Sequence, residues 1–104
     1  MERETLLRRV RTVVRELEPE AEIILYGSRS RLDAGPESDW DFVILVDGPV
    51  DEERTDRIRH RLYEIEWDGD EVISSVVRSR EQWNSARYRA VPFRQAVERE
   101  GVTV

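Results

Sequence analysis

Residues 23–46 read IILYGSRSRLDAGPESDWDFVILV, and the fold turns on how that stretch is parsed. An apolar run (Ile23, Ile24, Leu25, Tyr26) stops at Gly27-Ser28. A polar interval containing Gly35-Pro36 leads to Asp39-Trp40-Asp41, and a second apolar run, Phe42 to Val46, follows. Short apolar runs bounded by turn residues suit buried strands. Glycine at the end of the first run lets the backbone turn sharply and approach a ligand closely, and a helix opening just after it aims free N–H groups at an anion. Along a strand, residues i and i+2 share a face, so Asp39 and Asp41 point the same way with Cα atoms about 6.5 Å apart. Two carboxylates so placed can share a pair of metal ions about 3.5–4 Å apart, the arrangement used in phosphoryl-type transfer. Trp40 points to the other face and reads as core.

Gly27-Ser28, a short interval, then Asp39-x-Asp41 opening an apolar strand resembles the signature of the polymerase-beta-type nucleotidyltransferases. The chain is most similar to their smallest members, the minimal nucleotidyltransferases, including the local Gly-Ser-Arg-Ser-Arg form at residues 27–31. The likeness covers about residues 5–80. It implies a palm-like α/β (α+β) fold, a small mixed sheet with helices packed on one face. It also implies Gly27, Ser28 and Arg29 as residues that hold a nucleoside triphosphate, and Asp39 and Asp41 as catalytic ligands of Mg²⁺ or Mn²⁺. Arg31 is a further candidate for phosphate contact, although surface ion pairs suit either arginine equally well.

The chain has 104 residues and reads as one domain over 1–104, with room for a small sheet and a few helices. Net charge is −6, so the overall field opposes nucleic acid, and phosphate binding must come from local arginines, backbone N–H groups or metal. All 17 basic residues are arginine. The absence of cysteine excludes disulfides, thiolate chemistry and cysteine-ligated zinc. Residues 1–10 are charged with no apolar signal core, and no run approaches membrane-spanning length, so a cytoplasmic location is expected.

Residues 3–18 place Leu6, Leu7, Val10, Val13, Val14 and Leu17 on one helical face, and Pro19 ends the helix. Strands are expected over 21–26, 39–46 and 71–77, with a short helix from Arg29 and a turn at Gly35-Pro36. Asp51 can cap a helix running to about Glu66, with Ile58, Leu62 and Ile65 at helical spacing. His60 lies on its charged side and reads as solvent-exposed. Ser79 to Gln82 fits a capping box with Trp83 behind it. Pro92 opens a last helix carrying Phe93 and Val97, and Gly101 closes it. This tail is expected to cover the sheet or to meet a partner.

The third strand departs from the family pattern. Members that catalyse transfer usually carry a third carboxylate there, on the face of the first two, whereas this strand offers Ser74 and Ser75. The nearest acids, Asp68, Asp70 and Glu71, stand at or before its beginning. Two carboxylates with substrate phosphates can hold one Mg²⁺ but are less suited to positioning a second. The resemblance therefore implies one of three things. The chain is an enzyme moving a nucleoside monophosphate from a nucleoside triphosphate to a hydroxyl. Alternatively, it is an antitoxin-like partner of a small helical HEPN-type protein, or a nucleotide-binding domain without the chemistry.

Overall fold

The computed structural model describes residues 1–31, 35 and 38–104. The Gly35-Pro36 turn expected within 33–38 lies largely outside them. Helix α1 spans Arg3–Leu17, and its apolar stripe buries Leu6, Val10, Val13 and Val14. Strand β1 is Glu22–Tyr26, the short helix α2 is Ser28–Arg31, and β2 is Trp40–Val46. Helix α3 covers Glu52–Gly69, and the Asp51 carboxylate at its start accepts from the Arg54 N–H at 2.8 Å. Strand β3 is Ile73–Ser79. The Ser79 hydroxyl accepts from the Gln82 N–H at 3.1 Å and so caps α4, Arg80–Trp83. Helix α5 is Ala86–Arg89, α6 is Pro92–Glu100 with Gly101 after it, and β4 is Val102–Thr103.

The four strands form one mixed sheet in the order β3-β2-β1-β4. Strand β1 is antiparallel to both β2 and β4, and β2 is parallel to β3 through the α3 crossover. The two apolar runs of the decisive stretch thus pair directly, Ile23 against Ile44 and Leu25 against Phe42. Two readings move. The third strand begins at Ile73 rather than 71, because α3 continues to Gly69 and stops only where Asp70 adopts left-handed backbone, φ 53°. Strand β4 was not foreseen; its two residues pair with Ile24 and Leu25.

Alternation along β1 and β2 sorts side chains to two faces. One face carries Ile23, Leu25, Trp40, Phe42 and Ile44, which pack with the apolar stripes of α1 and α3 into the main core. Phe42, Leu6 and Ile65 are fully excluded from water there, each removing roughly 1.5–3 kcal/mol of apolar exposure. The tail does cover the sheet, and it does so on the opposite face, so helices pack on both faces rather than on one as expected. Trp83 and Val97 bury Val43 and Leu45, with Ile24, Tyr26, Tyr88 and Phe93 around them. A bidentate pair ties the end of α1 to the start of α3: Arg54 donates to Glu18 at 2.8 and 2.6 Å and to the Pro49 carbonyl at 2.9 Å. His60 is exposed, as expected.

Candidate active site

Strand β1 ends at Tyr26, whose register partner on β2 is Asp41. The next residue, Gly27, turns the chain at φ +78°, a conformation that a side chain strains. A Cβ at Gly27 would stand 2.9 Å from Asp41 Oδ2, so glycine here brings bare backbone against the carboxylate. The turn is held from behind. The Gly27 carbonyl accepts from the Ser30 and Arg31 N–H groups at 3.1 and 3.3 Å, and Ser30 Oγ lies 2.8 Å from both the Gly27 and Glu100 carbonyl oxygens. Arg31 pairs with the Glu100 carboxylate at 2.9 Å. Ser28 is the first residue of α2, so the Gly27-Ser28 turn is braced by the end of α6.

Asp39 is exposed and stands one residue before β2; Asp41 is half-buried. Burial pushes the Asp41 carboxyl above the usual aspartate range, and the charge of Asp39 pushes it further in the same direction. Burial likewise raises the Tyr26 hydroxyl, and Asp41 adds to that shift. The Tyr26 ring meets Phe93 edge-on, centroids 5.5 Å apart, which closes the site on the α6 side. Two mutually repelling carboxylates beside bare backbone suit a cation bridging them to an anion. That donor set of hard oxygens fits Mg²⁺ or Mn²⁺.

On β3 the register partner of Asp41 is Ser74, which is exposed, while Ser75 pairs with Phe42 on the core side and is 9% exposed. Ser74 is therefore the serine that stands where a third carboxylate would sit. Two of the three acids before the strand are engaged elsewhere. Glu71 accepts from Trp40 Nε1 at 3.0 Å and lies 3.8 Å from the Met1 amine, on the face opposite Asp41. Asp68 accepts from Arg9 at 3.0 Å, and Asp70 ends α3. Among the described residues, no group of three histidine, cysteine, aspartate or glutamate side chains is arranged to hold a metal.

Arg29 serves a role that sequence reasoning missed. Its guanidinium donates to the Ser38 carbonyl through Nε and Nη2 at 3.2 and 2.9 Å, lies 4.2 Å over the Trp40 ring, and is 3.9 Å from Glu71. Arg3 in turn donates to the Arg29 carbonyl at 2.6 Å. Arg29 thus holds the backbone on either side of Asp39 in place. An arginine stacked on a tryptophan eleven positions away leaves no periodic mark in the sequence.

The family of nucleotidyltransferase domains matches residues 7–95. The chain belongs to that family. No curated protein matches it. Among solved structures, this nucleotidyltransferase domain is similar to one described as a toxin-antitoxin with AMP-PNP. The TM-score is 0.66 at 19% identity, over 98% of this chain and 72% of that one. At that identity the likeness shows the shared fold, the mixed sheet with its flanking helices.

Proposed function

We propose that this domain, acting as a single unit in the cytoplasm, binds a nucleoside triphosphate with Mg²⁺ or Mn²⁺. It then transfers the nucleoside monophosphate to a hydroxyl presented by a small helical protein of the HEPN type. The observation that carries the reading is the close approach of the Gly27 turn to Asp41, which sets backbone N–H groups and the carboxylate pair at one end of the sheet. Gly27 and Ser28 hold the β- and γ-phosphates through backbone N–H groups and the Ser28 hydroxyl. Asp39 and Asp41 hold the metal, which when bound supplies charge stabilisation at the transferring phosphoryl group. Arg29 keeps Ser38 and Trp40 fixed so that both aspartates keep their direction. In the transfer, the acceptor hydroxyl oxygen bonds to the α-phosphorus and gives up its proton to water, the bond from that phosphorus to the bridging oxygen breaks, and pyrophosphate leaves.

The exposed Ser74 beside Asp41 favours a second reading, a domain that binds the nucleotide and neutralises its partner by contact. Transfer of label from α-labelled triphosphate to the co-purified partner separates the two. Efficient transfer by the wild type, abolished in Asp39→Asn, supports the enzyme. Tight nucleotide binding with no transfer supports the binding protein, and no nucleotide binding sinks both.

A further inference from the structure

The second half of α3 carries an aromatic pair that the core does not use. Trp67 is 78% exposed and Tyr63 57%, and their rings stack with centroids 6.4 Å apart. A pair of exposed rings of this size suits an interaction surface, where Trp and Tyr carry much of the binding energy. The local sequence around them is acidic. Residues 63–71 read YEIEWDGDE, five acids and no base. Glu64 and Asp68 share with the two rings the walls of a depression of about 430 Å³.

This arrangement runs against the helix's own electrostatics. The C-terminal end of a helix is its negative pole and favours cations, yet the last turn of α3 carries no basic residue. Arg61 lies 3.5 Å from Glu64, Arg9 lies 3.0 Å from Asp68 and Arg59 borders Tyr63 and Glu66, three cations against the four carboxylates of Glu64, Glu66, Asp68 and Asp70. A cationic group laid over the rings would meet the faces of two π-systems, the acids beside them and the helix pole together.

We propose that the Tyr63–Trp67 face is the docking surface for the arginine- or lysine-rich surface of a second protein. The surface leads towards the candidate active site. Tyr63 also borders a second depression, of about 330 Å³, shared with Arg59, Glu66 and Ser74 across the outer edge of β3. Arg59 is held there by its 3.3 Å bond to the Ser75 carbonyl. Ser74 is the register partner of Asp41, so a protein seated on the rings reaches over the free edge of β3 to the carboxylates. That second step, delivery of an acceptor, rests on the nucleotidyl-transfer reading; the docking does not.

The test uses the full chain without nucleotide and an oligoarginine peptide as probe. Trp40 and Trp83 are only 2% and 3% exposed, so acrylamide quenching of tryptophan fluorescence reports Trp67. The peptide is expected to protect Trp67 from quencher and to shift the backbone amides of 63–70. By anisotropy of the labelled peptide, Tyr63→Ala/Trp67→Ala should weaken binding by about tenfold or more, and Glu64→Gln/Glu66→Gln/Asp68→Asn should weaken it too. The same loss of charge at Glu52→Gln/Glu53→Gln/Asp56→Asn, at the other end of α3, should leave affinity within about twofold. Equal weakening by both charge variants, unprotected Trp67, or preferential protection by oligothymidylate would overturn the proposal. Magnesium–ATP binding by Tyr63→Ala/Trp67→Ala, followed separately, should match the wild type. Its absence from the wild type as well would count against the nucleotide site and leave the docking surface standing.

Discussion

Gly27→Ala isolates the contact on which the site depends, because Gly48 supplies a matched control. Both glycines sit in the left-handed region, at φ +78° and +82°. A residue with a Cβ is strained there by about 1–2 kcal/mol, partly offset by about 0.4–1 kcal/mol from the stiffer unfolded chain. Each variant should therefore lose about 1 kcal/mol of stability in urea unfolding. The surroundings differ. At Gly48 the new Cβ would meet only the Arg54 guanidinium, at 3.6 Å, whereas at Gly27 it meets Asp41 Oδ2 at 2.9 Å. That oxygen must withdraw by about 0.5 Å to reach ordinary contact at 3.4 Å. Metal–oxygen distances tolerate only about 0.2 Å, and Mg²⁺ demands near-ideal octahedral geometry. Gly27→Ala should accordingly weaken magnesium–AMP-PNP binding, measured calorimetrically, by at least about tenfold, or 1.4 kcal/mol. Gly48→Ala should bind as the wild type does. Equal nucleotide affinity in the two variants would refute the argument.

Three further outcomes are expected. Asp41 holds its proton more tightly folded than unfolded, so its contribution to stability is largest in acid and falls as pH rises through the interval above the usual aspartate value. Removing the neighbouring charge with Asp39→Asn should therefore stabilise the metal-free protein at about pH 7 and not at about pH 3 in thermal melts. Glu18 has the opposite sign: its hydrogen bond to Arg54 lowers its pKa, so its contribution is present at neutral pH and is lost as pH falls through the carboxylate range. Glu18→Gln should cost about 1–3 kcal/mol at neutral pH, with the gap to wild type closing in acid. Ser74→Asp should leave stability nearly unchanged and tighten Mn²⁺ binding. Ser75→Asp, which drives a carboxylate among Phe42 and its neighbours, should cost about 3 kcal/mol and leave metal affinity unimproved.

The elements that local pattern specifies were legible in the sequence. The stripe of α1, the paired runs of β1 and β2, and the caps at Asp51 and Ser79 follow from residues within a few positions of one another. The misplaced start of β3 has a physical cause. Trp67, Asp68 and Gly69 extend α3 past its last buried residue, Ile65, and Asp70 takes the left-handed position that glycine more often marks. Strand β4 escaped because two residues carry no periodicity, and their pairing with Ile24 and Leu25 is long-range. The tail's apolar positions identified a packing face on α6, though not which side of the sheet it meets. Ser74 and Ser75 could not be told apart from the chain alone, since a one-residue slip exchanges the faces of a strand. Only the pairing of Trp40 with Ile73 selects Ser74.

Mn²⁺-induced broadening of backbone amide resonances shows whether Asp39, Asp41 and the Gly27 turn form one metal–nucleotide site. Substoichiometric Mn²⁺ with AMP-PNP should broaden residues 26–29, 39–42 and 74 first. The broadening should disappear in Asp39→Asn/Asp41→Asn while the rest of the spectrum stays in place. Broadening centred on the acidic end of α3, residues 64–71, or unchanged in the double variant, would contradict it.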